Sequence, residues 1–321
     1  MLIRPTTGAD LDRVTAVTVP EPVGWIDADR YRDELGQGMY RPQWTWVAED
    51  DDGRLLARAL WWGRADSAHP VALDCLHVAP EAGDRARVAT RLLTAGLQAF
   101  AAAGAPKPPL YNLTLPVGWR DDPLAVDAVA WRRTAARAAG LGHEVERLRL
   151  EWASGDALPG GDGRLTFAPA ADEEFLGTFR RIAVGSLDDE TRRNVAARGA
   201  EAAARAELEF YLDCPGEREW WRLAYGPDGR LVGMAIPSAT PYARNVGFLG
   251  VLPEFRGRGY VDDLLAEVTR SHVEAGAERI TATTDTGNAP MAAAFARAGY
   301  RTTEIRMIWS APVVEEEERT P

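Results

Sequence analysis

The hydrophobic and polar positions of the chain follow a pattern that occurs twice. LIRPTTGADLDRV starts at Leu2 and LTFAPAADEEFLGTF starts at Leu165, and each predicts a short strand, a Pro and an acidic turn into an amphipathic helix. WTWVAEDDDGRLLARALWW starts at Trp44 and WWRLAYGPDGRLVGMAIPS starts at Trp220. Each of these predicts two short strands joined by a turn, because Asp-Gly between apolar runs is a strong hairpin signal.

The later part of each half is repeated as well. LHVAPEAGDRARVATRLL corresponds to LGVLPEFRGRGYVDDLL, and GHEVERLRLEW (142–152) corresponds to GYRTTEIRMIW (299–309). Between the halves, ASGDALPGGDG (153–163) lacks periodicity and is typical of a linker. We therefore predict a duplicated α/β fold with one domain at 1–153, a second at 164–311 and an acidic tail at 312–321.

The composition narrows the class of protein. The 321 residues suit two domains, and 46% apolar with 26% charged residues is typical of a globular protein. Without a run of about 18 apolar residues or a signal pattern at the start, we expect no membrane and a cytoplasmic location. The net charge of −11 argues against nucleic acid as a partner. The scattered histidines and the distant Cys75 and Cys214 indicate no metal site.

One stretch of the second half has no intact counterpart in the first. An apolar strand (247–251) and a Pro-Glu turn lead into RGRG (256–259), followed by apolar residues at helical spacing. A helix N-terminus offers unpaired N–H groups and a partial positive charge, and glycines let those groups close around a pyrophosphate. A plain turn with solvated arginines is an alternative. A dinucleotide-binding loop is excluded, because Asp262 stands where its third glycine belongs.

On these residues the second half resembles the GNAT superfamily of acyl-CoA-dependent N-acyltransferases. The family signature Gln/Arg-x-x-Gly-x-Gly/Ala corresponds to residues 256–261, and its later Asn–helix–Gly-aromatic motif corresponds to Asn288, AAAFARAG and Tyr300. The whole of 164–311 fits, whereas 1–152 fits only in outline. The resemblance implies two tandem GNAT-like domains, each a mixed, splayed, mostly antiparallel sheet flanked by helices, with acetyl-CoA as co-substrate and no metal.

The resemblance also implies a coenzyme A site. Its residues would be Leu249, Gly250, Val251, Arg256, Gly257, Arg258, Gly259, Tyr260, Val261 and Asn288. The strand would expose backbone groups to the amide-rich pantetheine arm. The two arginines would add charge to the pyrophosphate or to the 3′-phosphate. The Asn has a second interpretation, as the cap of the following helix.

Two positions depart from the family pattern. Val261 stands where Gly or Ala is usual, and Phe295 stands where many members carry a Tyr proposed as general acid. The strand 245–251 also lacks the Glu that serves as base in some relatives. The catalytic residues are therefore unknown from sequence. The remaining candidates are Tyr300, Tyr242, Asp188, Asp189 and Glu190, where the three acids can equally be the N-terminal turn of a helix.

The first half has lost the glycine pattern. It reads AGDRAR (82–87) at the position of RGRG, and Asp84 would repel a pyrophosphate. We expect this half not to bind coenzyme A tightly.

The function predicted for the chain is transfer of an acetyl group from acetyl-CoA to a primary amine of a small molecule by direct attack, in a monomer or homodimer. The alternatives are an acyl-CoA-binding pseudoenzyme, and a transferase that uses another donor, such as aminoacyl-tRNA or a longer acyl-CoA.

Overall fold

The computed structural model describes residues 1–312, and their contacts divide into two compact units. Unit 1 contains Met1–Glu146 and Glu304–Pro312, and unit 2 contains Arg147–Thr303. All of the predicted acidic tail beyond Pro312, including Glu315 to Glu318, lies outside the described residues. No helix within residues 1–312 combines the length and the apolar character needed to cross a bilayer.

Unit 1 is a mixed sheet flanked by helices, with elements numbered along the whole chain. Its strands, in spatial order, are β1 (Leu2–Pro5), β2 (Thr45–Glu49), β3 (Leu55–Trp62), β4 (Ala72–Val78), β5 (Leu110–Leu115) and β12 (Arg301–Ser310). Its helices are α1 (Leu11–Thr15), α2 (Ala28–Gly36), α3 (Arg85–Ala102) and α4 (Pro123–Ala138). These pairs are antiparallel except β4 with β5, which is parallel.

Unit 2 repeats this arrangement. Its strands, in spatial order, are β6 (His143–Ala153), β11 (Arg279–Asp285), β10 (Arg244–Val251), β9 (Leu231–Ala239), β8 (Arg222–Tyr225) and β7 (Thr166–Ala168). Its helices are α5 (Asp172–Ala183), α6 (Asp189–Asp213), α7 (Tyr260–Glu274) and α8 (Ala289–Arg297). The parallel pair is β10 with β11, and the other pairs are antiparallel. The predicted fold class, a mixed and mostly antiparallel sheet with helices in each half, is confirmed.

The last strand of each half differs from the prediction. β12 comes from the second half but pairs with β5 of unit 1 over residues 305–309. β6 comes from the first half, and its residues 147–153 pair with β11 of unit 2. Both strands complete a core in this arrangement: Trp309 packs against Tyr111 with ring centroids 4.9 Å apart, and Trp152 belongs to the core of unit 2. The units therefore do not end at the predicted boundaries of 153 and 164.

The core of unit 2 fixes the helix that follows RGRG. Leu264, Leu265 and Val268 of α7 are fully buried, at the spacing that the sequence predicted for the inner face of this helix. The helix packs on β9 and β10. The first turn of α7 is therefore held next to the end of β10, where the candidate site lies.

Candidate active site

A bulge in β10 ends its pairing with β11. In the described chain, β10 pairs with β9 again along residues 248–251, but with β11 only at Arg244 and Asn245. Between these stretches the register shifts, and the Gly247 N–H donates to the side-chain oxygen of Asn245 at 2.8 Å. Gly247 has φ +69°, and a Cβ there would lie 2.2 Å from the Ile236 carbonyl oxygen, so only glycine fits.

The end of β10 presents backbone groups on the side where β11 has separated. The Leu252 N–H donates to the Val232 carbonyl across the β9 pair at 2.8 Å. Because backbone groups alternate in direction along a strand, those of Gly250 also face β9, whereas those of Leu249 and Val251 face the opposite side. The N–H groups of Leu249 and Val251 therefore face away from β9, the orientation expected of a strand that lies beside pantetheine.

Two glycines form the entry to α7. Gly257 has φ +75° and Gly259 has φ +77°, a left-handed conformation that disfavours other residues. Gly259 is the N-cap of α7 and supplies no side-chain hydrogen bond to the first turn. In that turn the Asp262 N–H donates to the Gly259 carbonyl at 3.1 Å, and no side chain of the N-cap covers the N–H groups of Tyr260 and Val261, the kind of helix start that the RGRG pattern predicted for an anion.

The two arginines of RGRG differ in what they contact. The Arg256 guanidinium donates to the carbonyl oxygens of Ile182 at 2.7 Å, Gly185 at 2.8 Å and Val251 at 3.1 Å. It ties the end of α5 to the end of β10, which is a different role from the phosphate contact expected of it. The exposed Arg258 donates to the Glu254 carbonyl at 3.2 Å.

Carboxylates in the first turn of α7 are each paired with an arginine. Asp262 pairs with Arg297 at 2.7 Å. The buried Asp263 accepts from the Gly163 N–H at 3.1 Å and from Arg164 at 2.8 Å. These pairs offset the negative charge that two aspartates bring to a proposed phosphate site. No motif in the sequence singled out the arginine at 164.

The remaining residues of the predicted coenzyme A site have local structural roles. The half-buried Tyr260 has its ring 6.2 Å from that of Phe255, and the half-buried Val261 follows it in the first turn of α7. The Asn288 side chain accepts from the Met291 N–H at 3.4 Å at the start of α8. The capping interpretation of this Asn is confirmed.

Phe295 and Tyr300 lie in the core of unit 2. The Phe295 ring is 2% exposed and meets the Tyr300 ring edge-on at 5.2 Å. The Tyr300 hydroxyl shares a 2.8 Å hydrogen bond with Thr269, and burial raises the pKa of Tyr300 well above its ordinary value. Tyr300 is therefore a poor candidate for a general acid, because its hydroxyl lies in the core and is engaged in a buried hydrogen bond.

Tyr242 lies in the turn that precedes β10. The strand then runs eight residues to Val251, or about 25 Å at the usual rise of a strand. This tyrosine is thus at the opposite end of β10 from the glycine loop, and it is a poor candidate for chemistry at that loop.

The acidic segment before α6 is a helix start with a partly buried ion network. Asp188 caps α6 by accepting from the Thr191 N–H at 2.8 Å, as the alternative interpretation predicted, and it pairs with Arg147 at 3.0 Å. The Asp189 N–H donates to Asp285 at 2.7 Å, and Asp285 also pairs with Arg147 at 2.9 Å. Burial raises the pKa of Asp285. Glu190 lies in the same first turn.

Sequence reasoning missed two residues on the second part of α6. The helix breaks at Gly199, with φ 80° and ψ 162°, and its second part places the Tyr211 ring 6.1 Å from the Phe248 ring of β10. One turn earlier lies the partly buried Glu207. Burial raises its pKa from 4.5 to about 7, and the nearby Glu190 and Asp188 also raise it. Glu207 is thus a carboxyl with a raised pKa on the same face of α6 as Tyr211.

The equivalent helix start in unit 1 is blocked by its own side chain. Asp84 is the N-cap of α3, and its carboxylate accepts from the Arg87 N–H at 3.0 Å. The neighbouring Arg85 pairs with Glu21 at 3.1 Å and with Asp127. The anion position that Gly259 leaves open in unit 2 is therefore filled in unit 1 by a carboxylate.

Comparison with known proteins gives the family of this site. Residues 187–300 match the model of the Acetyltransferase (GNAT) family. Unit 2 contains a GNAT domain. The resemblance found in the sequence is confirmed, and the matched residues run from the start of α6 to the beginning of β12. They include the β10 bulge, the glycine loop, α7 and Glu207 of the GNAT domain, but not Arg164.

Solved structures show the same fold across both units. A GCN5-related N-acetyltransferase from Sphaerobacter thermophilus is 17% identical with a TM-score of 0.54, and the match covers 97% of this chain and 95% of that one. A fungal multi-domain GH3 beta-N-acetylglucosaminidase has a region described as a GCN5-related glucosamine N-acetyltransferase. It is 16% identical with a TM-score of 0.53, covering 96% of this chain and 38% of that one. The search of curated proteins found no match.

Proposed function

We propose that unit 2 transfers an acetyl group from acetyl-CoA to a primary amine of a small molecule. The observation that carries this proposal is the combination of the β10 bulge with the glycine entry to α7. The bulge leaves the N–H groups of Leu249 and Val251 facing away from β9, beside a helix N-terminus that has no side-chain cap. Pantetheine would extend along 249–251, and the pyrophosphate would bind the first turn of α7.

The backbone of β10 would also stabilise the reaction. The neutral amine nitrogen attacks the thioester carbonyl carbon, and the carbonyl oxygen takes up negative charge. The N–H groups of Leu249 and Val251 are oriented to donate to that oxygen, an effect of the oxyanion-hole type. The C–S bond then breaks, and coenzyme A leaves as a thiol once its sulfur is protonated. Holding both substrates together would supply much of the acceleration.

Proton transfer is assigned to the second part of α6. Glu207 would accept the proton that the amine loses, since a base with a pKa of about 7 is efficient at neutral pH. Tyr211 lies one turn away on the same face of the helix. Burial and Glu207 raise the pKa of Tyr211, so its hydroxyl keeps its proton and can donate to the leaving sulfur. This pair would replace the family tyrosine that Phe295 does not provide.

Unit 1 is proposed not to bind coenzyme A. Asp84 occupies the start of α3 with its own carboxylate, and Arg85 is engaged by two acids. A pyrophosphate would have to displace that carboxylate and tolerate its charge. Each chain would thus hold a single molecule of acetyl-CoA, in unit 2.

An acyl-CoA-binding pseudoenzyme is the second candidate, and the core position of Phe295 favours it. The two functions are separated by measuring coenzyme A binding by calorimetry and thiol release with a panel of primary amines. Turnover of any amine supports the transferase, and binding without turnover supports the pseudoenzyme. Absence of both would reject the site. Comparison of acetyl, succinyl and longer acyl-CoA identifies the donor.

A further inference from the structure

Arg164 is held at the entry to α7 by residues of the proposed cofactor loop. Its Nη1 donates to the Arg258 carbonyl at 2.9 Å, and its Nη2 donates to Asp263 at 2.8 Å. Its guanidinium carbon lies 4.8 Å from the centre of the Tyr260 ring. Nη2 is also 3.5 Å from the position that a Cβ on Gly259 would occupy. The guanidinium therefore lies beside the N-cap of α7.

The linker before Arg164 lies against α7 in a way that only small residues permit. A Cβ on Gly161 would be 2.9 Å from the nearer carboxylate oxygen of Asp263, and the Gly163 N–H donates to that same oxygen at 3.1 Å. Asp263 thus fixes both the linker backbone and the arginine that follows it. A segment that looked like a plain connection between the two halves is part of the candidate site.

Arg164 retains capacity for another acceptor. A guanidinium has five N–H groups, and the hydrogen bonds to Arg258 and Asp263 occupy one on each Nη nitrogen. The Nε lies 3.2 Å from a carboxylate oxygen of Asp162, but it is buried and makes no hydrogen bond within residues 1–312. A third of the side chain is exposed. By contrast, Arg256 is occupied by backbone carbonyls. A planar fork with one further N–H on each Nη nitrogen suits a phosphate.

We propose that Arg164 is a ligand of the coenzyme A pyrophosphate, supplied by the linker between the halves. This role rests on the proposed function of unit 2. Arg164 would contact one phosphate oxygen while the N–H groups of the first turn of α7 contact others. Its bond to Asp263 holds the guanidinium in place and offsets a carboxylate that would otherwise repel the ligand.

The test compares cofactor fragments on a folded background. Arg164→Gln alone leaves the buried Asp263 carboxylate unpaired, so the double variant Arg164→Gln/Asp263→Asn is made beside it, with Asp263→Asn as reference. We expect the double variant to bind acetyl-CoA roughly 10- to 100-fold more weakly than Asp263→Asn, the loss typical of a charge-assisted hydrogen bond. The loss should be equal for dephospho-acetyl-CoA, which keeps the pyrophosphate. Turnover of acetyl-pantetheine, which lacks it, should not change.

The control is Arg270→Gln. Arg270 lies in α7, like Asp263, is half exposed and pairs with Glu267. This variant should leave all three measurements unchanged. If wild type binds acetyl-CoA and the double variant binds as tightly as Asp263→Asn, Arg164 is not a ligand, although the proposed function stands. An equal loss with acetyl-pantetheine would show a purely structural role. A wild-type protein that does not bind coenzyme A would reject the proposed function and this role with it.

Discussion

Glu207 should make the stability of the protein fall as the pH rises from 4.5 to about 7. Below pH 4.5 the carboxyl is protonated in both the folded and the unfolded chain. Between 4.5 and 7 only the unfolded chain ionises, so unfolding is increasingly favoured, and above 7 the full cost of the buried charge is present. A pKa raised from 4.5 to about 7 corresponds to about 3 kcal/mol. Glu207→Gln removes this cost.

We therefore expect Glu207→Gln to be less active but more stable at high pH. Its free energy of unfolding relative to wild type, from urea titrations of the full chain, should increase by about 3 kcal/mol between pH 4 and pH 8. Wild-type kcat/KM should rise as the pH increases through 7. In the variant this rise should be absent, and kcat/KM at high pH should be about 100-fold lower. The exposed Glu209 on the same helix gives the control Glu209→Gln. A stability difference independent of pH would refute the reasoning.

Three further substitutions test the glycine loop, the hydrogen bonds of Arg256 to backbone carbonyls, and the core of unit 2. Gly259→Asp places a carboxylate about 5 Å from the pyrophosphate, which at an effective dielectric constant of about 20 costs about 3 kcal/mol, or about 100-fold in the Kd from calorimetry. Gly259→Asn shares the backbone strain without the charge, and an equal loss would contradict the electrostatic argument. Arg256→Gln should lower the free energy of unfolding by about 1–3 kcal/mol, because carbonyls of α5 and β10 lose their donor; an unchanged urea midpoint would contradict this. Phe295→Tyr should lower the midpoint without raising the rate, since its hydroxyl enters the core, whereas a faster enzyme would place this ring beside the cofactor.

Local patterns predicted the elements well because each carries its own chemical signal. Asp-Gly at a hairpin, apolar residues at helical spacing and a Gly-x-Gly before a helix act within a few residues. The left-handed φ of Gly257 and Gly259 is a direct consequence of that local pattern. The exchange of β6 and β12 was not predictable in this way. GHEVERLRLEW and GYRTTEIRMIW have similar alternation, and alternation specifies a face but not the neighbouring strand.

The charged residues of the site could be predicted only in part. A sequence shows that a guanidinium is present but not which acceptor satisfies it, so Arg256 looked like a phosphate ligand although carbonyls occupy it. Glu207 lies 52 residues and Arg164 lies 95 residues before Gly259 in the chain. Only tertiary packing brings them to the candidate site. Tyr300 was a candidate general acid because the sequence does not show that its hydroxyl is bonded to Thr269, which is 31 residues earlier in the chain.

The exchanged strands affect how the chain can fold as it leaves the ribosome. Chains are synthesised at about 5–20 residues per second, and domains generally fold from the N-terminal end first. Unit 1 has to wait for β12, which is made after all of unit 2, before the β5 edge of its sheet is covered. Until then that edge is open to pairing with other chains, a known route to aggregation. Neither half of the gene therefore encodes a complete folding unit, and expression of residues 1–153 alone would produce a sheet without its final strand.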